Sequence, residues 1–261
     1  MWGIIPAAGA GTRIQPLAFS KELLPVCEQF DGSQHRPRAV SDYLVERLVA
    51  AGADRICFVI SPGKSDILEY YGASAHSASL CYVIQPKPLG LCDAIFRAVP
   101  VVGRHESVLV GLPDTIWFPK SGLTALPDEH LSALLFPVKH PEHFDAVVLD
   151  SFGRILEIQV KTPSPSTNWI WGAFKMSGIT LEKLFRLWQA RNCSDEYMGH
   201  LINAWIAEGN LAYGFPIGTD YFDVGTMDGY LAAMEALRDM CYTPRTGQKA
   251  SNYEISIVDA R

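Results

Sequence analysis

GIIPAAGAGTRIQPLAFSKELLPV, residues 3–26, is the stretch on which the reading of this chain turns. Residues 3–5 form a short apolar strand that runs into a loop of small side chains, Ala7-Ala8-Gly9-Ala10-Gly11. The loop delivers Thr12 and Arg13, and Lys21 follows inside Ser20-Lys21-Glu22-Leu23-Leu24-Pro25. A loop without bulky side chains lets backbone N–H groups close on phosphate oxygens, while a guanidinium and an ammonium behind it neutralise a polyphosphate. Small-residue strand exits are common, so the loop alone decides little. Combined with Arg13, Pro16-Leu17 and Lys21 at this spacing, it points to phosphate handling.

Two better-known phosphate loops fit worse. The dinucleotide fingerprint needs a third small residue for helix–strand packing, and Ile14 stands there. The second strand, 55–60, ends in Ser61-Pro62-Gly63 rather than in an acid that could hold a ribose. A P-loop needs Lys and Ser or Thr directly after its last Gly, whereas Thr12-Arg13 follows Gly11. The segment closely resembles the signature of the sugar-1-phosphate nucleotidyltransferases, the family of glucose-1-phosphate thymidylyl- and uridylyltransferases. Pro6-Ala7-Ala8-Gly9 is nearer to the uridylyl branch, and Ser20-Lys21-Glu22-Leu23-Leu24-Pro25 occurs in either.

The chain has 261 residues, enough to bury a substantial core, and with 48% hydrophobic and 19% charged residues it is an ordinary globular protein. A net charge of −6 argues against a general nucleic-acid binder but not against a nucleotide, for which a local cation cluster suffices. Six cysteines, Cys27, Cys57, Cys81, Cys92, Cys193 and Cys241, show no Cys-x-x-Cys spacing and read as reduced thiols of a cytoplasmic protein. No secretory signal is visible, and no apolar run approaches the ~20 residues of a membrane helix.

The first half alternates strands and helices. Residues 41–51 put Leu44, Val45, Leu48 and Val49 on one helical face before Gly52, and 66–71 and 91–98 are further helices. Residues 55–60, 80–85 and 107–112 read as buried strands, an alternation that implies a mostly parallel sheet with helices on both faces. Strand-like runs follow at 132–138, 146–150, 154–161 and 169–176, then helices at 180–191 and 197–208 and a strand at 211–217. A closing helix runs to about Arg238, and the polar tail 243–261 holds a weak strand pattern at 254–258. No linker divides the chain, so one domain is expected. The resemblance covers roughly residues 3–240 and implies a three-layer α/β/α sandwich with a mixed, mostly parallel central sheet. It also implies a nucleotide half at about 1–114 and a sugar half at about 115–240, without the extra C-terminal helices of some relatives.

Polar clusters stand where open α/β sheets gather reactive groups, beyond the carboxyl ends of strands. Asp114 follows a strongly apolar strand; alone, such an acid serves equally well as a turn cap. Asp223, before Val224-Gly225-Thr226, supplies a second carboxylate from a distant segment. Such a pair suits Mg²⁺, which takes one or two protein carboxylates plus phosphates and waters. The family's matching aspartates hold the catalytic metal, so the resemblance implies Mg²⁺, with Mn²⁺ as a substitute, on Asp114 and Asp223. It assigns Ala8, Gly9, Ala10, Gly11 and Thr12 to the nucleotide, with Gln85 and Gly90 reading the base, and makes Arg13 and Lys21 catalytic. Relatives usually carry Glu-Lys-Pro where this chain has Val160-Lys161-Thr162, and a Gly where it has Asp145. Lys161 is therefore expected on the sugar phosphate, with Asp145 and Gly172 beside the sugar, although a solvated strand-end lysine remains an alternative. Trp169 and Trp171 are expected in core packing, and His140 and His143 in a surface loop broken by Pro141.

The resemblance implies that an NTP, UTP or dTTP, and a sugar 1-phosphate react by in-line attack on the α-phosphorus to give an NDP-sugar and pyrophosphate. No nucleic acid or membrane partner is expected, and a homo-oligomer is compatible with this reading. Val160 motivates an alternative, a nucleotide-sugar-binding regulatory relative without catalysis, against which the retained cations and aspartates stand. A nicotinamide-dependent oxidoreductase fails already at Ile14.

Overall fold

A computed structural model of the chain describes residues 1–30 and 32–241. Strand β1 (Trp2–Pro6) is followed by a hairpin of β2 (Pro25–Phe30) and β3 (His35–Ala39) and by helix α1 (Val40–Ala50). Next come β4 (Arg55–Ile60), α2 (Ser65–Tyr71), β5 (Ser74–Ala75), β6 (Ala78–Ile84) and α3 (Gly90–Phe96). Strands β7 (Ser107–Gly111), β8 (Thr115–Phe118), β9 (Leu131–Pro137), β10 (Asp145–Leu149), β11 (Ile155–Val160) and β12 (Trp169–Ser177) lead into α4 (Gly178–Ala190) and α5 (Met198–Ala207). Strands β13 (Ala212–Phe215) and β14 (Asp220–Asp223) precede α6 (Met227–Cys241).

Among the described residues, ten strands form the central sheet, in the order β11-β10-β12-β7-β1-β4-β6-β5, with β9 pairing both β12 and β13. β7, β1, β4 and β6 are mutually parallel, whereas β12 is antiparallel to β7, β9 and β10. The sheet is thus mixed and mostly parallel, as expected. Its central strands are apolar throughout because both of their faces are covered. Ile5, Ile56, Phe58 and Leu109 pack with Leu44, Val45 and Leu48 of α1 and Ile67 of α2. Their strand neighbours Ile4, Cys57, Val59, Val108 and Val110 face the opposite core, which holds Ile95 of α3, Leu184 of α4 and Leu201 of α5. The period-two alternation of strand side chains therefore sorts successive residues into two cores, giving the α/β/α sandwich.

The structure adds elements that the sequence pattern does not announce. The β2–β3 hairpin forms its own two-stranded sheet, and its largely exposed residues, with Pro37 in β3, carry no apolar signal. β8 and β14 are four-residue strands paired with each other outside the large sheet. The strand expected at 254–258 lies outside the described residues. One expectation is corrected: Cys27 is disulfide-bonded, while Cys57, Cys81, Cys92 and Cys193 are free. Pairing follows proximity in space, which local cysteine spacing does not reveal. Among the described residues no helix is long and apolar enough to cross a membrane.

Candidate active site

The small-residue loop leaves β1 with the Ala7 amide donating to the Val59 carbonyl at 2.8 Å. Gly9, Ala10, Thr12 and Arg13 are exposed. Among the described residues, the amides of 9–13 donate to no backbone carbonyl, which leaves them open to an anion. Gly11 has a left-handed φ of 67°, and a Cβ there would stand 2.9 Å from Lys21 Cδ. Glycine at 11 therefore serves the turn and also makes room for the lysine stem.

Lys21 begins a single 3-10 turn, Lys21–Leu23, and its ammonium donates to Asp114 Oδ2 at 2.5 Å. Arg13 Nη1 donates to Asp223 Oδ2 at 2.8 Å. The two acids meet because β8 and β14 pair antiparallel with Asp223 opposite Thr115, and the Val224 amide donates to the Asp114 carbonyl at 2.8 Å. From α1, the buried Arg47 guanidinium holds the Trp117 carbonyl of β8 and so braces this ladder. Gly225 completes the arrangement. A Cβ on it would lie 2.8 Å from Asp114 Oδ2, 2.9 Å from Asp223 Oδ1 and 3.3 Å from Arg13 Nη2. Two carboxylates and a guanidinium thus converge on the bare face of one glycine.

Two ion pairs, Arg13–Asp223 and Lys21–Asp114, join the four side chains. Burial pushes Asp114 towards protonation, but the Lys21 ammonium, helped by Arg13, holds its carboxyl below the usual range. Burial likewise opposes the charge on Lys21, and Asp114 more than offsets it, leaving the ammonium above its ordinary value. Arg13 is held up against partial burial by Asp223. Two carboxylates around a gap match the donor set of a hard divalent cation that completes its shell with phosphate oxygens and water. Among the described residues no group of three or more His, Cys, Asp or Glu side chains forms a fuller cage.

A second group lies where β10, β11, β12 and α5 adjoin. Asp145 pairs with Val160 across the β10–β11 ladder. Its Oδ2 accepts from Trp171 Nε1 at 3.3 Å, whereas its buried Oδ1 has no partner. Burial raises the Asp145 carboxyl above its ordinary value, only partly countered by Trp171, Lys161 and His200. Lys161, at φ 45°, donates to the Tyr197 hydroxyl at 3.3 Å and lies over its ring, 4.5 Å from the centroid. Gly172 sits at a register shift in β12, where a Cβ would meet Phe136 at 2.5 Å and Tyr221 at 2.8 Å. Trp171 is buried in the core, as expected, but its indole N–H also serves Asp145. Half-buried Tyr221, on β14, lies within electrostatic reach of Asp223, Asp114 and Asp145 and so connects the two groups.

Gln85 and Gly90 form a third group. Gln85 is buried, and its amide nitrogen donates to the Gly90 carbonyl at 3.1 Å and to Asp93 at 2.8 Å. Gly90 has φ 93° and abuts Glu196, whose Cα would lie 2.8 Å from an added Cβ. Close backbone packing against residue 196, next to Tyr197 of the second group, is enough to require glycine there. His140, just before the short Pro141–His143 turn, stacks on His143 at its end with centroids 5.9 Å apart.

Residues 2–240 match the nucleotidyl transferase family. The chain belongs to that family. A curated glucose-1-phosphate thymidylyltransferase of Mycolicibacterium smegmatis is 25% identical over 247 residues, spanning 91% of this chain and 82% of that protein. A UTP–glucose-1-phosphate uridylyltransferase of Bacillus subtilis is 30% identical over 167 residues, but these cover only 53% of this chain and 54% of the relative. The solved structure of a UTP-bound UGPase from Acinetobacter baumannii superposes with a TM-score of 0.74 at 22% identity, over 91% of this chain and 93% of that one. At that identity the superposition establishes the shared fold. The nucleotidyltransferase assignment accords with the loop–Arg–Lys signature. Sequence reading did not single out Gly225, Tyr221 or Tyr197, nor Glu22 and Lys64 behind Lys21. Only Gly225 had a usable signal, its position two residues beyond Asp223.

Proposed function

We propose that this nucleotidyltransferase joins UTP or dTTP to a sugar 1-phosphate and releases pyrophosphate, with Mg²⁺, or Mn²⁺ in its place, held by Asp114 and Asp223. A phosphate oxygen of the sugar 1-phosphate attacks the α-phosphorus in line. The bond from that phosphorus to the oxygen bridging to the β-phosphate breaks, and pyrophosphate leaves. The transfer needs positioning and charge neutralisation rather than a protein nucleophile. Arg13 and Lys21 neutralise the triphosphate and the departing pyrophosphate, while the amides of the small-residue loop cradle its oxygens. Lys161 holds the attacking phosphate, Gln85 and Gly90 border the base, and Asp145 and Gly172 border the sugar. The bound cation would supply Lewis-acid neutralisation of the reacting phosphates.

The observation carrying this reading is the convergence of Asp114, Asp223 and Arg13 on Gly225, with Lys21 bonded to Asp114. Two acids and two cations packed around an open glycine face suit a metal–polyphosphate complex, whose opposite charges can replace both ion pairs. The sugar is proposed to differ from plain glucose. Val160 accepts no hydrogen bond, and the carboxylate with an unpaired oxygen stands across the ladder on Asp145. Release of pyrophosphate from a matrix of NTPs and sugar 1-phosphates, with and without Mg²⁺, tests the proposal. Turnover of a pyrimidine NTP with at least one sugar 1-phosphate supports it; no release from any pair refutes it.

A further inference from the structure

Lys21 is the catalytic cation that the surrounding protein grips most closely, and the grip comes from one short stretch of chain. Its preceding residue, Ser20, is held twice by Asp66: the Ser20 amide and hydroxyl donate to the two carboxylate oxygens, each at 2.6 Å. Its following residue, Glu22, is fully buried, and both of its carboxylate oxygens accept from Lys64 Nζ at 2.7 Å. The same ammonium donates to the Ala7 carbonyl at 2.7 Å, at the root of the phosphate loop. The Glu22 carbonyl accepts from Ser41 of α1 at 2.7 Å. Lys21 is thus fastened on both sides while its own ammonium reaches Asp114.

We propose that Lys64 and Asp66, at the start of α2, are positioning residues that set the reach of Lys21 and couple it to the phosphate loop. This inference rests on the assignment of Lys21 to the triphosphate. Neither residue touches the reacting atoms; each acts through the 3-10 turn. The Lys64–Glu22 pair is costly on solvation grounds, since burial acts to lower the Lys64 pKa and to raise that of Glu22, with each partner opposing the shift of the other. A buried ion pair is weak evidence for stability alone, and specifying one geometry is a better-attested use. That geometry matters here because a catalytic charge displaced by about 1 Å loses up to about a hundredfold in rate.

The test is a coupling measurement on pyrophosphate release. Asp66 is only partly buried, so Asp66→Ala keeps the fold. The neutral double variant Glu22→Gln/Lys64→Met leaves no unpaired buried charge and serves as the second probe. Each is expected to lower kcat roughly tenfold or more, with the KM for the sugar 1-phosphate unchanged and the circular dichroism spectrum of the wild type. In a Lys21→Ala background, the same substitutions should change kcat by less than about twofold, because positioning an absent ammonium has no effect. Equal factors in both backgrounds, or wild-type kcat in both probes, overturn the inference. Should Lys21→Ala itself turn over normally, the reading of the site falls rather than this refinement of it.

Discussion

Gly225→Ala puts one methyl group into the centre of the site and isolates its geometry from its charges. The added carbon would stand 2.8 Å from Asp114 Oδ2 and 2.9 Å from Asp223 Oδ1, both too close for a carbon–oxygen contact, and 3.3 Å from Arg13 Nη2. At least one carboxylate must therefore swing away, although each is held by a cation. Alanine suits the backbone here, because Gly225 is not among the positive-φ glycines, and its amide can still donate to Asp223 Oδ1, a bond of 3.0 Å in the native chain. Overpacking of this kind costs about 1–3 kcal/mol of stability, which a folded protein of this size can absorb. The catalytic cost should be larger, at least ~100-fold in kcat, the scale of losing one preorganised charge-stabilising element. The assay is initial-rate pyrophosphate release across a Mg²⁺ titration, with thermal melting as the control. A folded Gly225→Ala enzyme with kcat within about threefold of wild type and an unshifted Mg²⁺ dependence would refute the placement of the metal and phosphates against this glycine.

Arg13→Ala and Lys21→Ala should each lower turnover at least ~100-fold while remaining folded by circular dichroism; near-normal turnover would remove them from the mechanism. Chelation by EDTA should abolish activity and added Mg²⁺ restore it, and Asp114→Asn and Asp223→Asn should each be nearly inactive, since an uncharged amide is a poorer ligand for a hard cation. Asp145, whose carboxyl is raised by burial, binds its proton more tightly folded than unfolded, so it lowers stability as pH rises above the ordinary carboxylate value of about 3.9. Asp145→Asn should accordingly melt higher than wild type at pH 7, with the gain fading toward pH ~3.9, yet turn over sugar 1-phosphate more slowly; a lower melting temperature at pH 7 contradicts the argument. The sugar preference is best probed by Val160→Glu/Asp145→Gly, because Val160→Glu alone would set two carboxylates directly opposite each other on the β10–β11 ladder. The double exchange should raise use of glucose 1-phosphate relative to the wild type's preferred substrate, and a wild type that already prefers glucose 1-phosphate defeats this part of the proposal.

What the sequence revealed follows from how local each requirement is. The loop after β1 must be small at consecutive positions, and the lysine that reaches its site lies in the next turn, so residues 7–21 can be read from one stretch. The buried strands β4 and β7 were equally legible, because strands covered on both faces are apolar at nearly every position. The ladder that joins the aspartates was not, since β8 and β14 are four residues each, too short to show a period. Gly90 was readable as a glycine with a task, but its neighbour, Glu196, is remote in sequence. Glu22 and Lys64 were hidden for another reason: charged residues read as solvated until a partner is seen, and this pair is separated by 42 positions.

The ion pairs also bear on how the site meets its ligands. Arg13, Lys21, Asp114 and Asp223 cancel one another, so without ligand the cluster carries no unpaired charge and needs no counter-ion to hold its shape. A triphosphate arriving alone would compete with two carboxylates for the same two cations. A divalent cation arriving alone would enter a pair of carboxylates already neutralised by those cations. Arriving together, each would release the partner the other needs, so neither the two carboxylates nor the two cations would be left without an opposite charge. On this argument the chelation and cation-removal predictions are two measurements of one exchange, and their effects should be less than additive. Lys21→Ala leaves the buried Asp114 carboxylate without its nearest cation, and a metal can then stand in for that partner even as the triphosphate loses one.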